Sequence, residues 1–456
     1  MSTSRRDFLG HAVRAMLAGS GCGLLGRLHT LQEAALDAMA GAPAAEYRAL
    51  VCVFLSGGND SYNVVIPRSS ADHAVYAASR GDLTVPQQNL LPITPITTDG
   101  RDWGLHPSLP ELQGLFAAGK LAVVANAGPL LAPMTKAQYQ NGSVRKPKQL
   151  FSHSDQTTLC QSQSAAADTG YGWAGRAADL LLSLNNGLAL SPGITLAGST
   201  RLLRGQTVIP YNLGTNGSVP LNGFSGTRGT RRLQAFQDLL NQNHGHVLEQ
   251  GFAAIQNQAI ELDALIRSAL ATQGNLATVF PDTSLGRQLR MVARMIAIRN
   301  ALPAVRQVFY VVAHGWDTHS GQNTAQPTLL ADLSRSLAAF QAALAEVAVE
   351  PNVTTFTLSE FGRTLSSNGQ GSDHGWGGHQ LVLGGAVRGR EFYGQMPDLA
   401  LGSANDVGRG RMLPTTAIDQ YAATLAKWFG LDSAQVATVF PRLANFASGD
   451  LGFLNP

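Results

Sequence analysis

Four stretches of near-continuous apolar residues punctuate the chain: Ala49 to Leu55, Leu121 to Ala125, Val305 to Ala313 and Val353 to Leu358. Strands covered on both faces read this way, because no side of a buried parallel sheet meets water. A shorter run, Gln380 to Leu383, predicts a fifth strand. Between these runs the apolar positions recur at helical spacing over Leu109 to Ala118, Leu285 to Asn300 and Leu329 to Val347. Strand and helix patterns in alternation predict an α/β protein, a three-layer α/β/α sandwich with a mostly parallel central sheet. Leu233 to Thr272 carries a polar amphipathic spacing and predicts one or two helices (Leu233, Phe236, Leu239 and Leu240, then Ile255, Ile260, Leu262 and Leu265). With the Gly-, Ser-, Thr- and Pro-rich stretch Ser191 to Thr230, expected as loop with short strands, it forms a helical insertion at about 190–275. The segment Leu413 to Phe446 has a core-facing helix pattern in Tyr421, Leu425, Trp428 and Phe429. A single domain over 46–450 accommodates all of these elements.

Most of the strong strands run into a polar cluster. Ser56-Gly57-Gly58-Asn59-Asp60-Ser61 follows the first, and His314-Gly315-Trp316-Asp317-Thr318-His319 follows the third. After the fourth come Ser359-Glu360-Phe361-Gly362-Arg363 and then Ser372-Asp373-His374-Gly375-Trp376-Gly377-Gly378-His379. In open α/β sheets ligands bind outside the carboxyl ends of the strands, where the loops converge. Each cluster alone has a plain alternative: Gly-Gly-Asn-Asp is a tight turn, Asp317 caps a helix, and Glu360 pairs with Arg363 one turn on. Together, Asp60, Asp317, His319, Glu360, Asp373, His374 and His379 would crowd carboxylates and imidazoles on one rim, and a divalent cation relieves such crowding.

The amino terminus changes the picture of where this protein works. Ser4-Arg5-Arg6-Asp7-Phe8-Leu9 matches the twin-arginine pattern, and a weakly hydrophobic segment follows from about His11 to Leu28, interrupted by Arg14 and Arg27. Residues 1–40 read as a leader cleaved near Ala38-Met39-Ala40. The expectation is a periplasmic or extracellular protein, exported already folded by the twin-arginine machinery and without a permanent membrane anchor. Past that leader no stretch of 18 uninterrupted apolar residues occurs. Of 456 residues, 33 are Lys or Arg and 30 Asp or Glu, too even a balance for a nucleic-acid surface. Only 14% of the chain is charged, which excludes a disordered solvating chain or a charged coiled coil. Outside the leader, Cys52 sits in an apolar run and is expected as a buried thiol, and Cys160 is its only companion, so no cysteine zinc site exists.

The motifs Phe54-Leu55-Ser56-Gly57-Gly58-Asn59-Asp60, Gly315-Trp316-Asp317-Thr318-His319, Ser359-Glu360-Phe361-Gly362-Arg363-Thr364 and Asp373-His374-Gly375 resemble those of the exported "domain of unknown function 1501" proteins. Leu105-His106-Pro107-Ser108-Leu109 and Phe151-Ser152-His153-Ser154-Asp155-Gln156 add lesser matches. These proteins in turn resemble the alkaline phosphatase and sulfatase superfamily. The resemblance implies an alkaline phosphatase-like sandwich with one or two divalent metals at the carboxyl rim. It assigns a metal to Asp60, to Asp317 with His319, to the Ser359-Glu360 position, and to His374 or His379. Ser359-Glu360 stands where that superfamily has Asp-His, so Asp373 and His374 could supply the missing ligand. Neither cysteine nor any serine stands in the Cys/Ser-x-Pro-x-Arg context of formylglycine sulfatases.

A phosphatase-like course needs a hydroxyl at a helix amino terminus. Ser152 is the first candidate and Ser154 the second, although Ser152 with Asp155 also reads as an ordinary helix cap. Arg363 or a histidine would steady the developing charge. The mixed carboxylate and imidazole set suits zinc or manganese better than magnesium or calcium. The expected function is hydrolysis of a phosphate or sulfate ester, a small anionic or carbohydrate-linked substrate. The alternative is a metal- or ligand-binding or assembly protein that keeps the scaffold without turnover.

Overall fold

The computed structural model describes residues 46–163, 170–185, 190–218, 223–224, 226–302 and 304–455. The expected leader, 1–40, lies outside them. In chain order the strands that build the main sheet are β1 (Arg48–Ser56), β2 (Leu121–Gly128), β3 (Gly193–Thr195), β4 (Arg306–His314) and β5 (Val353–Leu358). A hairpin of β6 (Arg363–Ser367) and β7 (Ser372–His374) stands off the sheet, and β8 (Gly378–Leu383) and β9 (Glu391–Tyr393) return to it. The order across the sheet is β9–β2–β8–β5–β1–β4–β3, with short strands extending its margins. Among these, β8 alone runs antiparallel, to β5 on one side and β2 on the other. All five runs that read as strands in the sequence are strands.

The longer helices are α1 (Ser70–Arg80), α2 (Pro110–Ala117), α3 (His153–Ser162), α4 (Trp173–Leu180), α5 (Gly226–Leu240), α6 (Val247–Thr272), α7 (Ser284–Ala297), α8 (Gln322–Glu346) and α9 (Ile418–Phe429). They cover both faces of the sheet. Successive side chains of β1 point to opposite sides. Val51, Val53 and Leu55 join Leu112, Phe116, Leu289, Val292, Leu333 and Leu337 in one core, with Leu262 and Ile266 of α6. Leu50, Cys52 and Phe54 join Ala174, Ala177, Tyr421, Leu425 and Phe429 in the other. Burial on both sides is the reason β1 reads as an unbroken apolar run. The chain is a three-layer α/β/α sandwich, as its pattern predicts.

Two details depart from the expectation, at the starts of α5 and α8, and a third decides between the one and two helices expected of the amphipathic region. Helix α5 begins at Gly226, inside the stretch expected as loop. The amphipathic region is two helices, α5 and α6, because Asn241 to His246 interrupts the apolar spacing. Helix α8 begins at Gln322 and runs through Pro327, about two turns before the periodic residues start. Cys52 and Cys160 are both free and buried. Among the described residues no helix is long and apolar enough to cross a membrane.

Candidate metal centre on the carboxyl rim

Strands β1, β4 and β5 end side by side. Ser56 pairs with His314, and Phe54 with Leu358, in parallel register. The chain leaves β1 through Gly57 at φ +125, packed so closely on the next loop that a Cβ would lie 2.2 Å from the Asp317 nitrogen. Glycine alone accommodates both that conformation and that approach. The Trp316 N–H donates to Ser56 O at 3.2 Å, and the Gly57 N–H donates to Glu360 Oε1 at 2.9 Å. Behind them the hairpin pairs Arg363 with His374 and folds Asp373 and His374 back over the rim. Residues more than 250 positions apart thereby share one surface.

At its centre is the Asp317 carboxylate. Its Oδ1 lies 3.1 Å from His319 Nε2 and 3.2 Å from His374 Nε2, and its Oδ2 lies 3.5 Å from His153 Nε2. His319 Nε2 and His374 Nε2 are 2.9 Å apart. Ligand atoms of His153, Asp317 and His374 all fall within 4.8 Å of one another. The partners of the opposite ring nitrogens reveal the chemistry of this cluster. His374 Nδ1 is 2.8 Å from the Phe151 carbonyl, His153 Nδ1 is 2.9 Å from Glu360 Oε1, and His319 Nδ1 is 3.2 Å from Asp373 Oδ1. A carbonyl or carboxylate oxygen only accepts, so each Nδ1 is placed to donate, an arrangement that in a neutral ring leaves the lone pair on Nε2. In that arrangement the His319 and His374 Nε2 atoms meet beside Asp317 Oδ1, and the His153 Nε2 faces its Oδ2. Only protons or a cation stabilise such a convergence.

Burial is the main cause that lowers the pKa of His374, aided by the charge of Arg363 and opposed by the Phe151 carbonyl. That disfavours a proton on the His374 ring. At Asp317 burial works toward the neutral acid, but the hydrogen bond and charge of Arg363, with His319 and His153 nearby, prevail, and the carboxyl titrates below its usual range. Asp373 is lowered too, first by the hydrogen bond from Asn368. The Arg363 side chain is wholly buried. It donates to Asp317 Oδ1 at 2.6 Å and to Gly57 O at 3.1 Å, and it also binds the Ser372 carbonyl. The Asp317 side chain remains 44% exposed, so the centre is open to a ligand from solvent.

Asp317, His319 and His374 thus meet in one cluster, with Glu360 and Asp373 one layer out as imidazole acceptors. The other expected residues lie elsewhere or act differently. Asp60 is 2% exposed and is held by Arg80 in a buried ion pair and by Gln322. His379 is buried at the start of β8, where its Nδ1 accepts the Asn126 N–H at 3.0 Å. Ser152 caps α3: its Oγ accepts the Asp155 N–H at 3.4 Å and donates to Asp155 Oδ2 at 2.6 Å. Ser154 is exposed, with its Oγ 3.2 Å from that of Ser152. His153 is absent from the sequence-derived ligand set, although it stands between the two serines singled out there. Its position as first residue of α3, directly after a capping serine, is the local signal that aims it at the rim.

An α/β/α sandwich with an imidazole and carboxylate centre at the carboxyl rim defines the class of this protein. Within that class the chain belongs to the family described as Protein of unknown function (DUF1501), whose model matches residues 47–440. No curated protein matches the sequence. Among solved structures it is similar to the PsFucS1 sulfatase from Pseudoalteromonas sp., with 10% identity over 87% of this chain and 75% of that one, at a TM-score of 0.31. Ps i-CgsB in complex with a neocarrahexaose shows 11% identity over 86% and 74% of the chains, also at a TM-score of 0.31. A variant of the alkaline phosphatase PafA shows 10% identity over 71% and 64%, at a TM-score of 0.28.

Proposed function

We propose that His153, Asp317, His319 and His374 hold one divalent metal ion, and that the protein is an exported metal-dependent hydrolase of phosphate or sulfate esters. The observation that carries this reading is the convergence of three Nε2 atoms on the Asp317 carboxylate, each ring anchored through Nδ1 to an acceptor. Acceptors that take the Nδ1–H behind each ring orient metal-ligating imidazoles and raise their basicity. Three nitrogen donors and one carboxylate suit zinc, with manganese next. When bound, such an ion supplies Lewis-acid polarisation of an ester oxygen.

The remaining work falls to the chain's own groups. Arg363 keeps Asp317 ionised and fixes its Oδ1. Glu360 and Asp373 hold the rings of His153 and His319 in one tautomer. The lowered pKa of His374 keeps its Nε2 unprotonated near neutral pH. Because the Ser152 hydroxyl is engaged at its own helix cap, water is the nucleophile this arrangement favours over Ser152 or Ser154. Residues 1–40 are proposed as the export leader and 46–450 as one catalytic domain.

Purified protein is expected to carry close to one zinc or manganese per chain by elemental analysis and to hydrolyse p-nitrophenyl phosphate or sulfate. Asp317→Ala and His374→Ala are each expected to abolish metal uptake and to lower turnover at least a hundredfold. Retention of both properties in these variants overturns the proposal. A second reading, a metal-binding protein without turnover, is favoured by one observation: Asp60, expected as a metal ligand, is instead paired with Arg80. Bound metal with no hydrolysis across an ester panel would select it.

A further inference from the structure

Beside the metal centre runs a short hairpin whose tip is built against backbone preference. The Asp406 side chain is buried, and its carboxylate takes three main-chain N–H groups, from Gly408 at 2.7 Å, Gly410 at 2.9 Å and Gly402 at 2.9 Å. Asp406 and Met412 form a bridge across the base. The Arg411 N–H donates to Gly408 O at 3.2 Å, closing a four-residue turn in which Arg409 and Gly410 occupy the central positions at φ +61 and φ +70. Positive φ at both central residues is the type I′ turn, whose first central position belongs to Asn, Asp or Gly. An arginine there adds backbone strain, and strain of this kind concentrates where a side chain has work to do.

Both arginines of this tip contact residues that hold the imidazole cluster in place. Arg409 Nη2 lies 3.1 Å from Asp373 Oδ2, on the carboxylate whose other oxygen meets His319. The Arg411 guanidinium stacks over the Phe151 ring at 4.2 Å, and its Nε donates to the His374 carbonyl at 3.4 Å. Phe151 is the residue whose own carbonyl holds His374. The Arg409 side chain is 68% exposed, leaving most of its donors toward solvent. Two guanidinium groups therefore flank an open imidazole cluster, tied to it through the acceptors of two of its histidines.

We propose that this turn is an anion clamp. Arg409, seconded by Arg411, donates to the peripheral oxygens of a phosphate or sulfate group presented at the metal centre, and so selects tetrahedral oxyanions over neutral esters. This rests on the metal-centre reading above. The planar five-donor fork of arginine suits such oxygens where lysine offers one point charge.

The test is calorimetric titration of inorganic phosphate, and separately of sulfate, into zinc-loaded wild type, R409A, R409G and R411A, with zinc content measured in each. Phosphate affinity is expected to fall about ten- to a hundredfold in R409A, the range of a lost charge-assisted hydrogen bond, and less in R411A. R409G satisfies the turn better than arginine, so its melting temperature should match or exceed that of wild type while anion affinity falls as in R409A. A purely structural arginine would instead lower stability and leave affinity alone. Zinc bound normally with unchanged phosphate and sulfate affinity in R409A overturns the clamp and leaves the metal reading standing. Phosphate binding that depends on Arg409 in protein unable to take up zinc overturns the metal reading and leaves the clamp. Preference between phosphate and sulfate identifies the ester class.

Discussion

The tautomers of three histidines decide what this rim can do. Glu360 and Asp373 are positioning residues: they touch imidazole Nδ1–H groups, not the point where the Nε2 atoms meet. Glu360→Gln and Asp373→Asn leave an acceptor of nearly the same shape but remove the charge behind the ring. Zinc affinity is expected to drop roughly 10- to 100-fold in each, measured by competition with a chelator of known affinity. His153→Ala should cost more than either, since it removes a ligand outright. Affinity unchanged in His153→Ala would remove that residue from the centre. His153 also shows where residue-level reading stops. Flanked by two serines in Phe151-Ser152-His153-Ser154, it looked like background to a hydroxyl nucleophile. In three dimensions the serine caps the helix and the histidine faces Asp317.

At the scale of elements, the rim depends on close main-chain contacts as much as on side chains. Gly57 joins β1 to the site at φ +125 with the Asp317 backbone against it. Gly57→Ala is expected to destabilise the fold by about 2–4 kcal/mol, through strain and a forced shift of the neighbouring loop. Zinc affinity should fall with it, because the displaced segment carries Asp317. Denaturant unfolding and zinc titration of this variant check both effects. The elements themselves were largely legible. Unbroken apolar runs announced β1, β2, β4, β5 and β8, and helical spacing announced α2, α7, α8 and α9. The direction of β8 was not: an antiparallel strand buried on both faces has the same apolar run as a parallel one. That direction brings the start of β8, rather than its end, to the rim, and with it the segment from Asp373 to His379.

Across the whole molecule, two histidines buried away from the imidazole cluster set an acid limit. Burial lowers His106 from 6.5 to about 4, against the nearby charge of Asp60, and its Nδ1 accepts the Ser108 N–H. Burial lowers His379 to about 3. Both rings are neutral in the folded protein and bind protons near 6.5 once unfolded. The stability they confer is therefore complete above pH 6.5 and declines as pH falls toward 4 and then 3. His106→Gln should flatten the dependence of unfolding free energy on pH by up to about 1.4 kcal/mol per pH unit in that window. A slope equal to that of wild type would refute the assignment of the neutral state to His106.

By itself the chain determined the layers, the helical insertion and the polar cluster behind most of its strong strands. Hydrophobic period and strand length are local properties, and they are written residue by residue. Tertiary structure alone decided which members of those clusters meet. Asp60 was within reach of the rim but found Arg80 of α1, His379 turned inward to accept the Asn126 N–H, and His153 came in from a helix more than 150 residues from its partners. The selection follows from charge compensation and lone-pair direction. Both are fixed by distances between atoms that the sequence separates and only the packed fold brings together.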